Sequence, residues 1–103
     1  MQKDIDVNSK DKHGWTPFSY ATGRGSIEIV KLLLAQKHIH VNLKDKDWWT
    51  PFSYAVEREN VKIVKLLLAQ EDVDINEKNK DGQTPFLYAI CSGSVEIVKL
   101  LLA

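Results

Sequence analysis

Apolar residues along this chain gather into three bursts with one spelling: Ile29-Val30-Lys31-Leu32-Leu33-Leu34-Ala35, then Ile63 to Ala69, then Ile97 to Ala103. Within the first burst Ile29, Val30, Leu33 and Leu34 fall at i, i+1, i+4 and i+5, which is the broad apolar stripe of a core-facing helix. Ahead of each burst stands a second fixed phrase, Thr16-Pro17-Phe18, Thr50-Pro51-Phe52 and Thr84-Pro85-Phe86. Both phrases return every 34 residues. So regular a period predicts a stack of like supersecondary units, each touching only its neighbours. Such a stack is an elongated surface without a central cleft, and it favours binding over catalysis.

One unit reads as two short helices followed by an extended, hairpin-like segment. Thr16 suits an N-cap and Pro17 the first helical position, where the missing N–H is one that would go unpaired anyway. Ala21, Ala55 and Ala89 hold one position, where a methyl lets neighbouring helices approach. Gly25 and Gly93 suit the left-handed residue that ends this helix. Ser26, Asn60 and Ser94 are expected to cap the second helix, with Glu28 and Glu96 in its first turn near the positive end of the dipole. After it, Ile39-His40-Val41-Asn42 and Val73-Asp74-Ile75-Asn76 alternate apolar and polar, the pattern of short extended segments entering a turn.

Composition narrows the function. Lys plus Arg and Asp plus Glu both number 14, so the formal net charge is zero. The lysines are interleaved with acids, as in Lys44-Asp45-Lys46-Asp47. That is not the one-sided basic stripe of a nucleic-acid binder. No apolar run is long enough to span a bilayer, and the bursts break at Lys31, Lys65 and Lys99. Cys91 is the sole cysteine, which excludes a disulfide within the chain and suits a reducing, cytoplasmic setting. Without a neighbouring base it reads as a filler and not as a nucleophile. His38 and His40 are two apart, yet a metal site wants three or four ligands and no third is placed to join them. No metal, cofactor or catalytic residue is expected.

Thr-Pro opening a helix, the small helix pair and the Asp-Val-Asn segment after it resemble ankyrin repeats. The phrase Asp11-Lys12-His13-Gly14-Trp15-Thr16-Pro17-Phe18-Ser19-Tyr20-Ala21 carries the likeness, and it returns twice in register. The resemblance implies an all-α solenoid of stacked helix-turn-helix units with hairpin-like loops in a single domain, 1–103. Residues 1–8 match the end of a preceding hairpin, 9–42 the first repeat, 43–76 the second, and 77–103 a third truncated after its second helix. Each unit is one residue longer than the usual 33. Units of this kind resemble those of long, fungal-type arrays. The chain is expected to be a segment of such an array, with a designed chain as the rival reading. Both terminal repeats keep apolar residues on their outer faces, so end-to-end association is expected as a risk.

The resemblance also implies a non-enzymatic protein-binding role, with partners held on a concave side formed by hairpin tips and first helices. The variable positions there are Lys12, His13, Trp15, Gly23 and Arg24, then Lys46, Asp47, Trp49, Glu57 and Arg58, then Lys80, Asp81, Gln83, Cys91 and Ser92. Trp15, Trp48 and Trp49 all fall in this region, and Trp and Arg are enriched in binding hot spots. Two readings stay open: a tryptophan contacts a partner, or the rings fold over neighbouring hairpins. On the first reading, truncating Trp15 or Trp49 abolishes binding without unfolding the chain. A structural stacking or self-assembling module is the alternative function. Trp48 occupies the family's glycine, where a bulky residue is strained or forces another turn, so an altered tip is expected at 45–50. Ser19, Ser53 and Leu87 replace the family's histidine, removing its hydrogen bonds between hairpins. Asn76, with Leu68 ahead of it, fits the pattern of an asparaginyl hydroxylase substrate, although Asn8, Asn42 and Asn76 also suit turns through side-chain to backbone bonds.

Overall fold

The computed structural model describes residues 4–103. Six helices follow in pairs: α1 Pro17–Arg24 and α2 Ile27–Leu34, α3 Pro51–Glu57 and α4 Val61–Leu68, α5 Pro85–Ser92 and α6 Val95–Leu102. No strand is present among the described residues, so the alternating segments 39–42 and 73–76 are extended loops and not ladders. The molecule is elongated, 47 × 25 × 21 Å. Within a pair the two helices pack on each other, and α3 lies between α1 and α5.

The first helix of each unit begins as its sequence dictates. Thr16 and Thr50 hold extended backbone while their hydroxyls accept from the Ser19 and Ser53 N–H groups. The serine hydroxyls return the bond to the threonine N–H, at 2.7 Å and 3.1 Å, closing a reciprocal cap. This is what Ser19 and Ser53 do in place of the family's histidine. Leu87 has no oxygen to return, and Thr84 is left with one cap bond, at 3.3 Å. The second helices are less uniform than their sequences suggest. Asn60 accepts from the Ile63 N–H, but Ser26 and Ser94 make no side-chain cap bond although they sit at the same position.

The core runs down the stack and is densest in the middle unit. Phe18, Phe52, Ala55, Ala89 and Val56 fill it from the first helices; Val30, Ile63, Val64, Leu67 and Ile97 fill it from the second. Burial follows the repeat's place in the stack more than its sequence. Ile63 and Ile97 are fully buried against the repeat on their N-terminal side, whereas the matching Ile29 in the first repeat described is 52% exposed. Removing an aliphatic side chain of this size from water is worth about 1.5–3 kcal/mol, so the inner copies of the burst carry the fold and the outer ones only part of it.

Candidate functional site

Three loop tips, Asp11–Trp15, Asp45–Trp49 and Asn79–Gln83, are built alike. In each the first residue's N–H donates to the last residue's carbonyl, at 2.9, 2.9 and 3.0 Å. The fourth residue's N–H returns to the first carbonyl at 3.0 Å in all three. The first side chain ties the turn from inside. Asp45 Oδ1 accepts from the Asp47 and Trp49 N–H groups, both at 2.9 Å, as Asp11 does from His13 and Trp15 and Asn79 from Asp81 and Gln83. Successive tips are joined by main-chain bonds, Lys46 N–H to His13 O and Lys80 N–H to Asp47 O, each 3.2 Å.

The middle tip departs from expectation. Trp48 sits at φ 67°, beside 82° at Gly14 and 78° at Gly82, and its hydrogen bonds match theirs. The turn at 45–50 is therefore not altered. The bonds from Asp45 and from both flanking tips over-determine it, so the tryptophan takes on the left-handed strain, worth about 1–2 kcal/mol for a residue with a Cβ. Its ring is 50% exposed, with the Lys44 ammonium 5.2 Å from its centre.

Trp15 and Trp49 occupy a different environment. Each indole is half-buried and lies between two tyrosines. Trp15 is 5.0 Å from Tyr20 and 4.5 Å from Tyr54; Trp49 is 4.9 Å from Tyr54 and 4.5 Å from Tyr88, ring centre to ring centre. The five rings form one ladder across the repeats. Each indole therefore fills the seam between two repeats. Tyr20, Tyr54 and Tyr88, which the sequence analysis does not single out, complete the ladder. Their signal was the return of Tyr20, Tyr54 and Tyr88 in register with the tryptophans.

Beneath the rings, the Tyr20 and Tyr54 hydroxyls donate to Asp11 Oδ2 and Asp45 Oδ2. That bond, with those from the backbone, holds the Asp11 carboxyl below its usual range, and it raises the Tyr20 phenol in turn. Burial first, and then the Asp45 bond, pushes the Tyr54 phenol up. Tyr88 has no carboxylate partner in its own tip, and its hydroxyl donates to the Gln83 carbonyl at 3.4 Å. Burial raises it to about 12.

Lys12, His13, Lys46, Asp47, Lys80 and Asp81 are exposed along the row of tips, and Gln83 is half-buried. Arg24, at the end of α1, and Arg58, just past the end of α3, line an open groove of about 300 Å³ with Trp15, Tyr20 and Gly23. Gly23 is buried because Trp15 lies over it; a Cβ there would meet the indole at 3.2 Å. Glu57, Cys91 and Ser92 are exposed. Asn76 is exposed, its N–H donating to Asp74 Oδ1 at 2.9 Å. Asn8 and Asn42 do not serve their own turns; their side chains reach the loop of the next repeat. Among the described residues no cluster of three His, Cys, Asp or Glu is disposed to hold a metal, and no helix is long and apolar enough to cross a membrane.

A search among curated proteins returns no match. Two family models do match, one described as ankyrin repeats (3 copies) over residues 40–103 and one as ankyrin repeats (many copies) over residues 1–55. With helix pairs each opened by Thr-Pro, loop tips in register and matches that together run the length of the sequence, the chain belongs to the ankyrin-repeat family.

Proposed function

We propose that this chain is a protein-recognition module that binds its partner along the loop tips and first helices. Ankyrin repeats are in general protein–protein interaction modules and typically not enzymes. The observation that carries the finer reading is the open groove where the Arg24 and Arg58 side chains flank the half-buried Trp15. Guanidinium groups beside an aromatic face suit a carboxylate next to an apolar side chain. Lys12 and His13 extend this basic end, while Asp47 and Asp81 make the farther tips mixed in sign. The row therefore reads a partner segment acidic at one end and mixed at the other, with charge giving specificity and the rings giving burial. Lys46, Trp48, Trp49, Lys80 and Gln83 complete the surface on this reading.

The test is selection of binding peptides from a displayed library on the wild-type chain, followed by binding to two variants. Arg24→Glu with Arg58→Glu should abolish binding of the selected peptides, and Lys62→Glu on α4 should leave it unchanged. Selected peptides that bind the double variant as tightly as the wild type would sink the proposal.

A further inference from the structure

Trp48 is the one large apolar side chain exposed in the middle repeat; every other one exposed among the described residues lies before residue 43 or after residue 76. The neighbouring tips are bonded to its own on both sides, by Lys46 N–H to His13 O and Lys80 N–H to Asp47 O. Its exposure therefore belongs to the tip itself. The same residue carries left-handed backbone, φ 67°, where the other two tips hold Gly14 and Gly82. Such strain persists only where surrounding bonds over-determine it, and it gathers where ligands bind. Glu59 carries like strain at φ 56°, yet it shows water only a charged side chain. Trp48 combines strain with an open indole. The Lys44 ammonium, 5.2 Å from the ring centre, returns less at an exposed site than the backbone strain costs. Contacts within the chain thus do not account for this residue.

Taking the tips as the recognition surface proposed above, we infer that Trp48 is the anchor that holds the partner and that the partner's matching group is an aromatic side chain. The other two tryptophans are poorer anchors. Trp15 and Trp49 each lie between two tyrosines, so their ring faces are spent within the fold. Trp48 keeps half of its surface in water. Lys44 lies over its ring and is itself fixed by Glu77 at 2.8 Å. A second cation brought to the indole would meet that like charge, and an acid would meet the negative face of the ring. An offset aromatic ring meets neither penalty, and anchors on one partner are commonly opposed by anchors on the other. The tip bonds and Lys44 hold the indole in place beforehand, so little side-chain freedom is lost on binding.

Peptides selected from a displayed library on the wild-type chain test this. Trp48→Gly should weaken their binding by roughly 30-fold or more, the loss expected of a hot spot. Its Tm should stay the same or rise, which separates lost contact from lost folding. Trp48→Phe, which keeps a ring, should lose less than Trp48→Gly. Replacing the peptide's aromatic residue by alanine should cost about as much on the wild-type chain and little on Trp48→Gly, because the two side chains make one contact. Unchanged affinity in Trp48→Gly overturns the inference; if Arg24→Glu with Arg58→Glu still abolishes binding, the groove stands without the anchor. Selected peptides without an aromatic residue, or with one that shows no coupling to Trp48, overturn it as well. Binding that survives the arginine changes but not Trp48→Gly upholds the anchor and removes the groove. A library that yields no binder overturns both.

Discussion

The indole of Trp49 lies flat on the phenol of Tyr88, ring centres 4.5 Å apart and planes 3° from parallel. The pair ties the second loop tip to the first helix of the third repeat, while the other side of the indole meets Tyr54. An offset stack of this kind adds about 0.5–1.5 kcal/mol beyond the area it buries. Trp49→Ala should therefore destabilise the chain by about 2–3 kcal/mol, less than a fully buried aromatic because the ring is half-exposed. Trp48→Ala, removing an exposed ring from the neighbouring position, should change stability by about 1 kcal/mol or less. Urea unfolding of the two variants compares them directly. Equal losses would mean that the ladder does not hold the repeats together.

The second repeat carries two side chains where its neighbours carry glycine. Trp48 stands at φ 67° and Glu59 at φ 56°, matching Gly14 and Gly82 in one case and Gly25 and Gly93 in the other. Glu59 is exposed and its side chain has no partner among the described residues, so Glu59→Gly sheds strain without losing a contact. The gain is tempered by the greater freedom of glycine in the unfolded chain, leaving about 1 kcal/mol or less. That corresponds to a rise of about 2–6 °C in Tm for a chain of this size. Trp48→Gly should gain less, because it also gives up the Lys44 contact. Thermal unfolding of both variants decides it; a lower Tm for Glu59→Gly would show that the left-handed turn is unstrained.

The repeat, the helix pairs and the capping threonines were legible because each is a local, periodic signal repeated in register. The turn at Trp48 was misread for a physical reason. A single residue's preference for negative φ is worth about 1–2 kcal/mol, and the bonds from Asp45, His13 and Lys80 outweigh it. The sequence leaves open which tryptophan packs and which is exposed: Trp48 and Trp49 are adjacent in the chain, but only Trp49 stacks on the next repeat. Which face a loop residue takes depends on the neighbouring repeat, and no period along one chain displays that. Asn8 and Asn42 were placed in turns of their own because asparagine does favour turns. Their partners lie 30 and 32 residues away.

Thr22 holds the place in α1 that Val56 holds in α3, and both are buried. Its hydroxyl has no hydrogen-bond partner. A buried hydroxyl left unpaired costs about 1–3 kcal/mol, and valine has nearly the same shape. Thr22→Val should stabilise the chain by about 1 kcal/mol, read as a higher urea midpoint with an unchanged slope. A destabilised variant would show that the hydroxyl finds a partner in solution, either water or a carbonyl one turn back.

The three tyrosines should ionise late and in an order set by their surroundings. Every one has its phenol raised in the fold: Tyr88 to about 12, chiefly by burial, Tyr54 by burial and its bond to Asp45, and Tyr20 by its bond to Asp11. The folded state thus favours the neutral phenol more than the unfolded chain does, where tyrosine titrates near about 10. Their contribution to stability is whole below that pH and is lost as the pH climbs through the folded values. Absorbance of tyrosinate followed against pH should therefore lag in the native chain behind the same chain in denaturant, with the urea midpoint falling from about pH 10 upward. Tyr88→Phe should remove the part of the native titration centred near 12 and leave the rest. Native tyrosines that all ionise together near about 10 would mean that the phenols beneath the indoles are open to water and that the ladder is looser than its ring distances imply.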